Sequence, residues 1–534
     1  MGISQHMYLR SDVVAEPLVD RWYAWSHIIS PATAAMHVAQ RHVRIMNSYL
    51  EAPDVHATAA ANLRLRGGPF MDLAGERTEE VRHLLDITLS RRTAQLSFAK
   101  AVSEAATLLR TECKGMSLEP FYARLPQALR GYVELVYDLE SHAGLRFFEP
   151  LLYRGPVYDR TAQSLMLYST QDDNRAFVLS TPRFEHEGAL HVSVPFDEPA
   201  LDDLFACRDR PGDPTDLAEK LGIATQDRKR FESFFSGVPA PAQRVHGDNH
   251  SIRWRYFGHA CVLVEYAGQS ILIDPVARYG YSDGVSGYSI ADFPERIDYV
   301  LITHNHQDHL ILEMLLQLRH KVGTVVVPPC AAGSLQDPST RLLLRQLGFK
   351  RVIELGVMES IPLEDGEIVG LPFLGEHGDL DIRSKLAYLV RLSGKTFVFA
   401  ADSCNIEPRL YELLRDVLGP VDSLFVGMEC DGAPLSWVYG PLLTTAVPRR
   451  EDQSRRTAGS DCAQAWSIVE TLRCRHVYVY AMGQEPWLNY ISRFQSDAES
   501  LPMTEARKLL EICRAHGIDA EQLCGSKEMI LHHS

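Results

Sequence analysis

The tightest constraint in this sequence is the run Thr303-His304-Asn305-His306-Gln307-Asp308-His309, which directly follows the apolar stretch Tyr299-Val300-Leu301-Ile302 and precedes a helical pattern from Leu310 to Arg319. A short apolar run bounded in this way reads as a buried strand, so the histidines stand at a strand end. Residues two apart point the same way along an extended chain. His304, His306 and Asp308 are therefore expected on one side, with His309 turning away as the helix begins. Imidazoles and a carboxylate converging in this manner are metal-ligand types, and such a set can serve two adjacent ions.

The sequence around this cluster alternates buried strands with helices. Strand patterns recur at Val262-Leu263-Val264, Ser270 to Ile273, Thr324 to Val327, Lys395 to Phe399, Ser423 to Val426 and His476 to Tyr480. Helical patterns lie between them, at Thr340 to Leu347, Arg409 to Leu418, Ala463 to Leu472 and Thr504 to His516. That alternation predicts a layered α/β catalytic domain. Ahead of it, residues from about 15 to 148 read as helix-rich, notably Thr33 to Gln40 and Arg92 to Arg110. Short β-like runs follow at Leu165 to Tyr168, Ala176 to Leu179 and Leu190 to Val194, making the N-terminal part mixed α+β. The Pro/Gly-bearing stretch from Gly237 to Asn249 reads as a linker, which puts two domains at 1–245 and 246–534. No catalytic motif is legible before residue 235, and that domain is expected to serve dimerisation or substrate docking.

Composition excludes several classes. The 54 Lys and Arg against 69 Asp and Glu leave a net charge of −15, which disfavours nucleic acid as a partner. No apolar run reaches the ~18 residues of a membrane span, and the N-terminus lacks the layout of a secretory signal, so a cytoplasmic location is expected. The ten cysteines include no Cys-x-x-Cys and read as reduced thiols.

A dinuclear site needs more ligands from later strand ends. Glu376, with His377 beside it as a rival, follows the run from Gly370, and Asp402 follows Thr396 to Ala401, where a metal-ligand role is favoured over a helix cap. Glu429 closes another strand and could sit near the site or simply cap that strand. Three histidines with three carboxylates form a harder, more anionic set than an imidazole-rich zinc pair, and suit iron or manganese.

The His-x-His-x-Asp-His pattern after a strand resembles the metallo-β-lactamase superfamily, over about residues 252 to 490. Phe257-Gly258-His259-Ala260 and Ile271-Leu272-Ile273-Asp274-Pro275 are similar to its opening hairpin. The resemblance implies an αβ/βα sandwich in which Asp274 orients a ligating histidine. His259 has an ordinary structural reading as well. Hydrolytic members usually carry histidine where this chain has Glu376, and another after the strand ending at Tyr480, where this chain reads Ala481-Met482-Gly483. The whole chain resembles one branch more closely, the dinuclear-iron β-hydroxylases of nonribosomal peptide pathways, chloramphenicol assembly among them.

That resemblance implies an oxo- or carboxylate-bridged iron pair, with His304, His306 and Glu376 on one iron and Asp308, His309 and Asp402 on the other. Asp402 would bridge, and Glu376 would be the ligand that moves. It also implies O2 as co-substrate, an external electron-donor protein, and a homodimer. The substrate would be an aminoacyl thioester, L-p-aminophenylalanine in chloramphenicol assembly, on a peptidyl carrier domain of a nonribosomal peptide synthetase. The basic stretch Pro448-Arg449-Arg450 to Arg455-Arg456 could dock that partner, and Trp437, Tyr439 and Trp487 could line a pocket for an aromatic side chain. The competing reading is a metal-dependent hydrolase (thioesterase, lactonase or phosphodiesterase) with a zinc or manganese pair.

Overall fold

A computed structural model describes residues 6–62, 65, 67–243, 250–281, 284–492 and 498–532. The C-terminal part contains two seven-stranded sheets laid face to face. The first sheet runs, edge to edge, Val352–Glu354, Val322–Val327, Ile297–Leu301, Gln269–Ile273, Cys261–Tyr266, Ile252–Gly258 and Lys527–Leu531. The second runs Ser360–Leu363, Gly366–Leu371, Ala387–Leu392, Lys395–Phe399, Ser423–Gly427, His476–Tyr480 and Asp519–Gln522. Between them lies an aromatic-rich core in which Trp254 meets Phe425 edge-on at 5.2 Å and Tyr478 at 4.8 Å. The outer face of the second sheet is covered by the helices Arg409–Leu418, Cys462–Leu472 and Leu501–Ala515. These elements follow the sequence patterns closely, because both faces of each sheet are buried and their strands therefore read as continuous apolar runs.

The N-terminal part is built on a four-stranded antiparallel sheet ordered Trp22–Tyr23, Val13–Val19, Gln163–Ser169, Leu190–Ser193. Its helices include Pro31–His37, Thr78–Arg91 and Thr93–Glu112. Two expectations fail here. Val13–Val19 is a strand of this sheet, although the surrounding residues read as helix-rich. Ala176 to Leu179 is a buried turn, held because the Val178 N–H donates to the Tyr490 carbonyl. Its apolar residues are buried by a neighbour distant in sequence, a burial that local β-propensity cannot distinguish from strand packing. The expected boundary near 245 lies outside the described residues. A single apolar core runs from Leu9 through Ile491, joining both parts. Among the described residues no helix is long and apolar enough to cross a membrane, and all ten cysteines are free thiols.

Polar contacts also join the parts. The Ser339 N–H, at the start of the helix Thr340–Gln346, donates to Glu149 at 3.0 and 3.2 Å. Burial pushes the Glu149 carboxyl up to about 7, opposed by the Ser339 N–H and reinforced by Asp337. Because the folded value lies above the unfolded one, this contribution is complete below the ordinary carboxylate range and is lost as pH rises through about 7. Glu149→Gln is expected to flatten the fall in stability between about pH 5 and about pH 8, and to stabilise the protein at the upper end by up to about 3 kcal/mol. Thermal melts of both proteins at the two pH values check this, and parallel pH slopes would refute it.

Candidate metal centre

The central strand Ile297–Leu301 delivers the histidine run to the carboxyl edge of the first sheet, between Gln269–Ile273 and Val322–Val327. Asp274, at the end of the neighbouring strand, holds that run in place. Its Oδ1 accepts from the Thr303 N–H at 2.8 Å, and its Oδ2 accepts from the Thr303 hydroxyl at 2.6 Å and lies 2.9 Å from His309 Nδ1. The second sheet grips the run from the other side, where the Leu386 N–H donates to the Thr303 carbonyl at 2.8 Å. The expected extended alternation stops at His306. Residues 307–309 form a turn, with the His309 and Leu310 N–H groups both donating to the His306 carbonyl. The helix starts only at Leu312. The turn carries Asp308 away from His304 and His306 and toward His259.

Glu376 and Asp402 arrive from the second sheet. Glu376 has φ +68° and follows Gly375, where a Cβ would stand 2.8 Å from that of Cys404. Gly427 likewise leaves room for Asp402, since a Cβ there would meet Asp402 Oδ1 at 2.7 Å. Glu376 Oε1 lies 2.8 Å from His306 Nδ1, and Oε2 lies 3.7 Å from His304 Nε2. Asp402 Oδ2 lies 3.1 Å from His309 Nε2 and 4.0 Å from His304 Nε2. Three sets thus present ligand atoms within 4.8 Å of one another: His304, His306 and Glu376; His304, His309 and Asp402; and His259, Asp308 and His309.

The donors fit a pair of cations. His304 Nε2 and Asp402 Oδ1 are buried without a hydrogen-bond partner among the described residues, and leaving such groups unsatisfied costs ~1–3 kcal/mol each. Burial, with the neighbouring histidines, holds His304 well below its ordinary value, so its lone pair is free. Burial acts to raise Glu376, but His306 and His377 overcome it and bring the carboxyl down to about 2.

Around this centre, His259 stands at φ +50° with Nε2 3.4 Å from Asp308 Oδ2. It belongs to one of the three candidate ligand sets, with Asp308 and His309. His377 Nδ1 lies 3.0 Å from Glu376 Oε2, while its Nε2 has no partner among the described residues. Glu429 falls outside all three ligand sets. It receives the Gly432 N–H at 3.3 Å, and burial pushes it up to about 8, with the Asp402 charge contributing. The expected aromatic pocket is divided. Trp487 packs under Gly258, Trp437 stacks on Phe177 at 5.6 Å, and only Tyr439 reaches the centre. The basic stretch divides as well: Arg449 and Arg450 are exposed, whereas Arg455 donates to the Gly378 carbonyl and Arg456 to that of Gly432.

Two features escaped the sequence because each depends on residues far apart in the chain. Tyr439 places its hydroxyl 2.8 Å from His306 Nε2. With Nδ1 turned toward a cation, Nε2–H donates to that hydroxyl and fixes the tautomer, and partners of this kind are worth ~10–100-fold in metal affinity. Tyr439→Phe is expected to keep the fold and weaken iron binding within that range, measured by chelator competition; unchanged affinity would refute it. The N-terminal part also reaches the cluster, with the Ser26 hydroxyl donating to the Asn305 carbonyl at 2.9 Å.

Residues 8–239 match the family described as the diiron non-heme β-hydroxylase N-terminal domain, and residues 269–433 match the β-lactamase superfamily domain. The chain is 40% identical to the 4-amino-L-phenylalanyl-(CmlP-peptidyl-carrier-protein) 3-hydroxylase of Streptomyces venezuelae, over 96% of this chain and 98% of that one. Its structure superposes on that of CmlA, a diiron β-hydroxylase from Streptomyces venezuelae, with TM-score 0.92, 39% identity and coverage of 99% and 100%. A Glu-to-Asp variant of CmlA superposes with TM-score 0.89, 39% identity and coverage of 98% and 100%. A metal-dependent hydrolase of Pyrococcus furiosus is 26% identical over 32% of this chain and 69% of its own. Full-length similarity on one side and a buried, mixed histidine–carboxylate cluster on the other lead to one conclusion: the chain belongs to the diiron non-haem β-hydroxylase family, as an enzyme with two iron ions in a metallo-β-lactamase-fold domain.

Proposed function

We propose that this enzyme hydroxylates the β-carbon of an aminoacyl group, 4-aminophenylalanyl or a close analogue, held as a thioester on a peptidyl carrier domain of a nonribosomal peptide synthetase. One atom of O2 enters the β-C–H bond. The other leaves as water, with two electrons from an external donor protein and two protons. The observation that carries this reading is the carboxylate Glu376 in a histidine-rich cluster, within a chain 40% identical along 96% of its length to a carrier-protein hydroxylase. In this reading His304, His306 and Glu376 hold one iron, and Asp308, His309 and Asp402 the other. When bound, the irons supply the activation of O2.

The chain's own residues do the rest. Asp274 keeps His309 and the loop around it in position, and Tyr439 orients His306. Burial and the nearby Asp402 charge push the Glu429 carboxyl up to about 8. Exposed Arg449 and Arg450 offer a basic face to an acidic carrier. In the same reading the enzyme is a cytoplasmic homodimer, with residues 1–245 serving dimerisation or substrate docking and 246–534 as the catalytic unit.

The test is incubation of the iron-loaded enzyme with aminoacyl-loaded carrier, a reductant and O2, read by mass spectrometry of the intact carrier. A gain of one oxygen atom with the thioester intact is expected. Release of the free amino acid without oxygenation would overturn the reading in favour of a thioesterase.

A further inference from the structure

The short helix Ser26–Ile29 passes beneath the metal-bearing loop, and the helix Pro31–His37 continues through a widened π-helical turn, Val38–His42. Such turns recur at functional sites. Together they place His27, His37 and Arg41 beside the metal centre. The His27 ring lies 5.9 Å from that of Tyr439, 5.7 Å from His37 and 4.6 Å from Trp25. Trp25 also meets His37 edge-on at 5.1 Å, and Tyr439 is bonded to His306.

Many polar atoms of this group are unsatisfied, although Arg41 Nη2 donates to the Trp437 carbonyl. Both ring nitrogens of His27, both of His37, Arg41 Nη1 and both amide atoms of Asn305 lack a hydrogen-bond partner among the described residues. His27 and His37 are 0% exposed and Asn305 is 1% exposed. At ~1–3 kcal/mol for each unmet group, this is a large standing cost. It is not a general property of the N-terminal histidines, since His56 bonds both the Ser48 hydroxyl and the Met71 N–H. Unmet donors and acceptors concentrated beside a catalytic centre are what an absent ligand would satisfy.

The chemistry of the group narrows that ligand. None of its members is acidic, and Arg41 is a cation drawn down to about 10 by burial, which disfavours an ammonium. Burial and neighbouring charges hold His27 near 3 and His37 well below its ordinary value, so both imidazoles are neutral. A neutral imidazole has one donor and one acceptor, which matches a group that both donates and accepts. Trp25 and Tyr439 supply aromatic walls.

We propose that His27, His37, Arg41, Asn305 and Tyr439 form the subsite that receives the uncharged polar tip of an aromatic aminoacyl side chain, an arylamine or a phenol. This rests on the carrier-bound substrate proposed above, and adds what selects among such substrates. A site built to hydrogen-bond such a tip discriminates against a ring that lacks it, because the ring leaves the site's buried polar groups unpaired.

The experiment sets 4-aminophenylalanyl-loaded against phenylalanyl-loaded carrier in competition on the iron-loaded enzyme. Anaerobic binding of each is measured in parallel. The wild type is expected to favour the arylamine by at least about tenfold in kcat/KM, and the double variant His27→Leu/His37→Leu to bring that ratio within about threefold. The anaerobic dissociation constants should move the same way. The variant should also melt no lower than the wild type, since apolar groups replace unsatisfied ones; if the double variant does not fold, His37→Leu alone is expected to reduce the ratio. A wild type that does not discriminate, a variant that keeps the full preference, or an equal loss on both substrates would each overturn the proposal. Absence of hydroxylation of either carrier by the wild type would instead remove the function proposed above, and this subsite with it.

Discussion

Glu376→Ala is expected to lower hydroxylation by about four orders of magnitude, the scale on which one member of a cooperative catalytic unit acts, while the chain stays folded. Glu376 is the carboxylate of the set formed with His304 and His306, 2.8 Å from His306 Nδ1 and 3.7 Å from His304 Nε2. Without it, that set is imidazole alone, a poorer home for oxidised iron than a mixed set. The backbone cost largely cancels, because Glu376 already stands at φ +68° and alanine would carry similar strain there. Glu376→Asp keeps the charge but shortens the reach by one methylene, and is expected to fall between the two. Iron per chain, circular dichroism and turnover on loaded carrier decide the matter together. Unchanged iron and turnover in Glu376→Ala would sink the assignment, and loss of the folded signal would show that the residue is structural.

The second large effect is on stability. Arg175→Met is expected to cost ~3–5 kcal/mol, because it strips the cation from carboxylates already taken out of water. Arg175 lies 3.0 Å from Glu313, 3.2 Å from Glu16 and 2.8 Å from Asp173, with its guanidinium carbon 3.3 Å from the centre of the Tyr490 ring. Glu313, on the helix Leu312–Leu318 that follows the histidine run, also accepts from the hydroxyls of Tyr23, Tyr279 and Tyr490. The network therefore ties the N-terminal sheet to the helix behind the metal-bearing loop. Arg175→Lys should recover little, since a single ammonium cannot fork between three carboxylates. Urea unfolding of the iron-free and iron-loaded proteins measures the loss, and a change below about 1 kcal/mol would mean that Glu16, Asp173 and Glu313 are held by their other partners.

Much of the catalytic domain is legible in the primary structure. Runs such as Val325–Val327 and Leu424–Val426 are buried on both faces and therefore show as unbroken apolar segments. The helix Arg409–Leu418 lies at the residues its periodicity implies. The N-terminal sheet was harder to find. Val13–Val19 carries Glu16 and Pro17 in its interior, two residues that argue against a buried strand until Arg175 and Arg183 are seen to partner that glutamate. The turn at Ala176 to Leu179 was misleading for the opposite reason, its apolar residues belonging to the shared core, where Phe177 stacks on Trp437 from far along the chain.

By itself the sequence determined the histidine run, its position at a strand end, and Glu376, Asp402 and Asp274 as carboxylates after other strands, because ligand chemistry and strand ends are local properties of a chain. The tertiary structure alone decided how these groups face one another. The turn at 307–309 that sends Asp308 toward His259, the Tyr439 hydroxyl on His306, and the approach of His27, His37 and Arg41 to the centre all depend on elements brought together by a shared core. No periodicity records such contacts, because they arise when separate apolar faces are buried against one another, and that burial fixes the distance between side chains the sequence keeps hundreds of residues apart.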